Sequence, residues 1–126
     1  GIPIMGSIAA GGLIETYSDL KDELDVNDVL SKKGIFALTV NGDSMIDAFI
    51  ADGDMVLMEP VKDSGYLRNG TIVSAMVAGS GTTLKYFFKD KSQIRLEAAN
   101  SNYDPIVLNA DAVSIQGKLL AVWRRV

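Results

Sequence analysis

The stretch Thr71-Ile72-Val73-Ser74-Ala75-Met76-Val77, Ala78-Gly79-Ser80-Gly81, Thr82-Thr83-Leu84-Lys85-Tyr86-Phe87-Phe88 decides the fold. Both arms are rich in β-branched or aromatic residues, and the short glycine-bearing segment between them reads as the turn of a β-hairpin. Working outward, Lys89-Asp90-Lys91-Ser92 is a second turn, and residues 93–97 alternate Ile94 and Leu96 with polar neighbours like a half-buried strand. Residues 35–40 and 55–58 carry similar strand signals, and Pro60 ends the second of these or confines it to an edge. Residues 98–105 read as loop, Ile106-Val107-Leu108 as a short strand and residues 113–123 as a long final one. With Gly, Asn and Asp clusters between the runs, the pattern predicts a mostly-β fold with short helical turns.

The rest of the chain fits that frame less tightly. Residues 45–50 have room for a turn or two of helix, Ala51-Asp52-Gly53-Asp54 is a turn, and residues 61–70 are polar and irregular. Residues 1–12 are small and apolar, and residues 19–24 and 26–30 each have the composition of a short helix. Met45, Met55, Met58 and Met76 read either as an adaptable surface or as core filler, and Trp123 as core or interface.

Composition bounds the function. At 126 residues the chain is the size of a single domain, residues 1–126, and 48% hydrophobic with 22% charged residues is the balance of a soluble globular protein. No run approaches the roughly 18 consecutive apolar residues of a membrane span, and no basic leader precedes an apolar core. Cysteine is absent, which excludes disulfides and thiolate metal sites and fits a cytoplasmic protein. Histidine is absent too, so zinc lacks both favoured ligands, and neither metal nor cofactor is expected. A net charge of −4 argues against this domain gripping a phosphate backbone by itself. Arg124-Arg125 is too short for a nucleic-acid patch and reads as plain surface.

Without histidine or cysteine, nucleophilic chemistry has few routes. Ser44, in Asn41-Gly42-Asp43-Ser44-Met45, needs a base, and a lysine desolvated among apolar neighbours can serve. Lys85, in the second arm of the hairpin beside Leu84, Tyr86 and two phenylalanines, is the candidate. Each residue also has a structural reading. Ser44 is suited to cap a short helix, Lys85 to lie along apolar surface as a solvated strand residue, and Ala9-Ala10-Gly11-Gly12 to form a flexible turn.

Taken in order, several motifs resemble a known family: Ala9-Ala10-Gly11-Gly12, Gly42-Asp43-Ser44-Met45 with Asp52-Gly53-Asp54, Arg68-Asn69-Gly70, Leu84-Lys85-Tyr86, Glu97-Ala98-Ala99-Asn100-Ser101, Pro105-Ile106 and Ala121-Val122-Trp123-Arg124. Together they resemble the C-terminal domain of the LexA-type self-cleaving serine–lysine peptidases, which include UmuD and phage repressors. The resemblance implies a LexA-like, signal-peptidase-like β-fold with Ser44 as nucleophile and Lys85 as general base. It implies backbone N–H groups of Asp43 and Ser44 as oxyanion donors, and Ala10-Gly11, within a cleavage segment of residues 1–16, as the scissile bond. It further implies a homodimer through residues 113–123, a RecA filament as activator in the SOS DNA-damage response, and operator DNA bound only through an N-terminal domain for which this chain has no room. An inactive phage-repressor dimerisation domain, a UmuD-like polymerase accessory, whose cleavage site is typically Cys-Gly, and a membrane-anchored signal peptidase are the rival readings.

Overall fold

The computed structural model describes residues 1–8, 10–11, 14–16 and 22–126. They divide into two compact units, Gly1–Lys32 and Lys33–Val126. In the first unit β1 (Ile2–Pro3) pairs antiparallel with β4 (Glu23–Leu24), and β2 (Gly6–Ile8) pairs with β3 (Ile14–Thr16). Helix α1 (Asn27–Leu30) lies where residues 26–30 predict one, entered through Asp25, whose carboxylate accepts the Asn27 N–H at 2.9 Å. The other predicted helix, residues 19–24, is corrected in part. Glu23 and Leu24 are extended because their backbone finds a partner in β1, and residues 19–21 lie outside the described residues.

The second unit is a seven-stranded antiparallel sheet. Its strands are β5 (Phe36–Thr39), β6 (Met55–Pro60), β7 (Thr71–Val77), β8 (Gly81–Asp90), β9 (Gln93–Glu97), β10 (Ile106–Asn109) and β11 (Val113–Trp123). They run in the order β10-β9-β8-β7-β11-β6-β5. The hairpin forms as its sequence predicts, with Val77 opposite Gly81 and Thr71 opposite Phe87. The next turn is tight, Asp90 standing opposite Gln93. Helical structure is confined to short 3-10 turns at Ile46–Ala48, Ser64–Tyr66 and Ala110–Ala112. No helix among the described residues is long and apolar enough to cross a membrane.

Alternation along the strands supplies two apolar clusters. Val73, Ala75, Val77, Phe87, Ile94 and Leu96 bury together, while Met45, Ile50, Val56, Met58 and Ala99 form the second cluster, with Leu84 and Leu119 packed against it. The methionines split between their two readings. Met45 and Met58 are core filler, and Met55 and Met76 are exposed.

Two details of register matter for the site. Strand β8 pairs with β7 from Gly81 onward but with β9 only from Tyr86, so residues 81–85 have a strand partner on one side alone among the described residues. At the far end of the sheet β5 likewise pairs only with β6.

Candidate active site

The turn that carries Ser44 follows β5 and is held from several directions. Val40 donates its N–H to the Asp54 carbonyl and accepts that of Gly53, each at 2.8 Å, which closes residues 40–54 into a compact excursion. Gly42 sits at φ +92°, a left-handed backbone that favours glycine, and its N–H donates to Asp52 Oδ1 at 2.6 Å. Met45, 1% exposed, anchors the turn in the second apolar cluster. The Asp52-Gly53-Asp54 segment is the turn its sequence predicts, and its carboxylates are the supports of the Ser44 excursion: Asp52 on Gly42, Asp54 on the Ala51 N–H at 2.8 Å.

Arg124 stays exposed, as a chain-end arginine is expected to be, but it is more than plain surface. Its Nε and Nη2 grip the two carboxylate oxygens of Asp54 at 2.7 and 2.6 Å, and Nη2 also reaches the Phe49 carbonyl at 3.2 Å. Asp54 is buried, so the guanidinium supplies the partner that its charge requires. That hydrogen bond, together with the one from Ala51, holds the Asp54 carboxyl at a pKa of about 2.

Ser44 and Lys85 meet. Lys85 Nζ lies 3.1 Å from Ser44 Oγ across 41 residues of sequence. The capping role is not the one Ser44 takes, because the following 3-10 turn has Met45 at its cap position and no side-chain cap bond. The solvated-lysine reading fails as well, since Lys85 is 8% exposed. Burial pushes its pKa below the ordinary lysine value, and no carboxylate among the described residues pairs with it to offset that cost. Nζ also donates to Thr83 Oγ1 at 2.7 Å and to the Leu84 carbonyl at 3.1 Å. Thr83 is a contributor that sequence reasoning missed. Its signal was the i, i+2 spacing to Lys85, which places two residues on the same face of a strand.

The surroundings suit a peptide. A groove of about 210 Å³ opens beside Ser44, walled by Leu38 and Thr39 of β5 on one side and by Thr82, Thr83 and Leu84 of β8 on the other. The two singly paired strand edges therefore flank the same groove, and Val40, Met45 and Val56 give it an apolar lining. Among the described residues the N–H groups of Asp43 and Ser44 donate to no protein acceptor. Ala10 and Gly11 lie in the turn between β2 and β3, both exposed, with Gly11 at φ +83°, while Ala9 and Gly12 are outside the described residues.

A mostly-β frame that buries a lysine against a serine hydroxyl, in a chain free of histidine, has the parts of a peptidase, and the chain belongs to the Peptidase S24-like family, whose sequence profile matches residues 3–120. Within that class it is similar to LexA repressors over nearly its whole length. It is 42% identical over 126 residues to the LexA repressor of Clostridium novyi (strain NT), covering 98% of this chain and 60% of that protein. The LexA repressor of Thermobifida fusca (strain YX) is 44% identical over 126 residues, with 99% and 48% covered. That of Koribacter versatilis (strain Ellin345) is 38% identical over 125 residues, with 99% and 58% covered. The chain thus spans about half to three-fifths of the length of these relatives.

Proposed function

We propose that this chain is the C-terminal self-cleavage and dimerisation domain of a LexA-like transcriptional repressor, a single functional domain over residues 1–126 that hydrolyses its own Ala10-Gly11 bond. The observation that carries the reading is the 3.1 Å contact between Ser44 Oγ and a buried Lys85. A neutral lysine amine has two N–H donors and one lone pair. With the donors on Thr83 Oγ1 and the Leu84 carbonyl, the lone pair is free to accept the Ser44 proton.

The chemistry then runs in two steps. Ser44 Oγ attacks the Ala10 carbonyl carbon as Lys85 takes its proton, and the oxyanion is met by the N–H groups of Asp43 and Ser44. Collapse breaks the C–N bond, Lys85 returns the proton to the Gly11 amine, and an ester joins Ala10 to Ser44. Water, deprotonated by the same lysine, then hydrolyses the ester and restores Ser44. A peptide laid as a strand in the groove gains main-chain hydrogen bonds from the open edges of β5 and β8. The small side chains of Ala10 and Gly11 let the backbone approach closely. Tethering in cis replaces a bimolecular encounter, worth up to roughly 7 to 11 kcal/mol in the best-oriented reactions.

In this reading residues 113–123 contribute to a homodimer. Trp123 and Val122 are exposed at the end of β11, and residues 119–123 have a strand partner only in β6 among the described residues. Cleavage would detach the dimeriser from the DNA-binding half and remove the avidity of two-site operator binding. A RecA filament would act by favouring the arrangement that presents Ala10 to Ser44. The contact between Ser44 and Lys85 weighs against an inactive phage-type domain, and Ala-Gly in place of Cys-Gly against a UmuD-like accessory.

The test is substitution. Ser44→Ala and Lys85→Ala should each abolish cleavage with the fold retained, and the double variant should be little worse than either, because groups acting as one unit are non-additive. Appreciable cleavage by Lys85→Ala at neutral pH would show that another group is the base.

A further inference from the structure

Resting on that reading, we infer that Asn100 and Tyr103, on the connection between β9 and β10, are positioning residues that aim the Ser44 N–H at the reacting carbonyl oxygen. The connection closes over the Ser44 turn through three hydrogen bonds. Asn100 Nδ2 donates to the Asp43 carbonyl at 3.0 Å, Tyr103 OH donates to Asp43 Oδ1 at 2.5 Å, and the Asp47 N–H donates to the Ala99 carbonyl at 2.8 Å. The Asp43 carbonyl also accepts the Ile46 N–H at 3.2 Å.

The geometry of the peptide bond converts this grip into aim. The Asp43 carbonyl and the Ser44 N–H belong to one planar, trans peptide, so they point in opposite directions. Two donors holding the oxygen on one side therefore fix where the N–H points on the other. The Tyr103 hydroxyl holds the Asp43 side chain as well, so the residue cannot rotate as a whole. Asn100 is itself set: its Oδ1 accepts the Asn102 N–H at 3.0 Å and its carbonyl the Tyr103 N–H at 3.1 Å. An oxyanion donor acts only when held in place before charge develops, and this clamp provides the holding.

Two conservative variants separate positioning from folding. Asn100→Asp keeps the acceptor that the Asn102 N–H uses but turns a donor to the Asp43 carbonyl into a repelling oxygen. Tyr103→Phe removes the hydroxyl and keeps the ring. Self-cleavage is followed against pH, with each rate constant divided by the folded fraction measured by circular dichroism. The alkaline plateau should fall at least about tenfold in Asn100→Asp, short of the roughly hundred- to thousandfold loss that follows outright removal of an oxyanion donor, and by a smaller factor in Tyr103→Phe. The pH midpoint should not move in Tyr103→Phe, which leaves the Lys85 contacts and the charge of the site unchanged, while the carboxylate added in Asn100→Asp draws it upward. In ¹⁵N–¹H spectra the Ser44 amide should shift in both variants while those of Leu84 and Lys85 stay in place. A Ser44 amide that stays in place, plateaus within twofold of the parent protein, or a moved midpoint at an unchanged plateau in Tyr103→Phe would each overturn the inference. Cleavage that persists in Ser44→Ala would instead overturn the peptidase assignment, while the shift of the amide would still report on the clamp.

Discussion

At the scale of single residues, the protonation of Lys85 controls the proposed reaction. The lysine accepts a proton only when neutral, and burial lowers its pKa from an unperturbed value of about 10.4. The neutral fraction therefore grows as pH rises. Self-cleavage should accelerate with a slope near one in a log-rate plot and flatten above the lysine's folded-state pKa, with the fold checked across the same range. A rate that stays flat across roughly pH 6 to 10 in a folded protein would exclude a neutral-lysine base. Thr83 Oγ1 and the Leu84 carbonyl accept from Lys85 in both protonation states and more strongly from the ammonium, so the lowering comes from burial alone.

At the scale of elements, β11 joins the two halves of the sheet, and its fit depends on Gly117. A Cβ there would stand 2.8 Å from Phe36 Cζ and 3.0 Å from the Glu59 carbonyl, beside a register shift between Ile115 and Gly117. Gly117→Ala should destabilise the protein by about 1 to 3 kcal/mol through overpacking, read as a lower midpoint in urea with an unchanged slope. Arg124, just past the end of the same strand, ties it to the Ser44 excursion through Asp54. The carboxyl of Asp54 is depressed to about 2, so its stabilisation is present above the unfolded value of about 3.9 and is lost as pH falls through that window. Arg124→Ala removes the main cause of the depression. Its acid unfolding, followed by circular dichroism, should begin at higher pH than in the parent protein, and an unchanged acid midpoint would show that the pair contributes nothing.

For the molecule as a whole, the seven-stranded sheet and both apolar clusters lie within Lys33–Val126, while Ala10 and Gly11 belong to the other unit. Release of residues 1–10 should then leave a folded product with the thermal midpoint of the sheet unchanged. Intact-mass analysis should find the fragments 1–10 and 11–126, formed with first-order kinetics whose rate constant does not change on dilution. A rate constant that rises with protein concentration would mean that one copy cuts another, and cleavage elsewhere with Ala10-Gly11 intact would exclude the proposed bond.

The order of residues along the chain determined what depends on near neighbours. Alternation and turn residues marked the strands, from the Val77–Gly81 hairpin to Val113–Trp123, because burial of one face of a strand imposes a period of two. The lack of histidine and cysteine pointed to serine–lysine chemistry, and the order of motifs by which the chain resembles its family singled out Ser44 and Lys85. Partners distant in sequence were another matter. That Lys85 reaches Ser44 across 41 residues, that Arg124 pairs with Asp54 across 70, and that Asn100 and Tyr103 hold Asp43 across 57 and 60 was decided by the tertiary structure. Nothing local distinguishes a solvated arginine at a chain end from one that neutralises a buried carboxylate. The difference arises when strand order and register set a half-exposed guanidinium against a carboxylate already out of water, and these are properties of the assembled sheet.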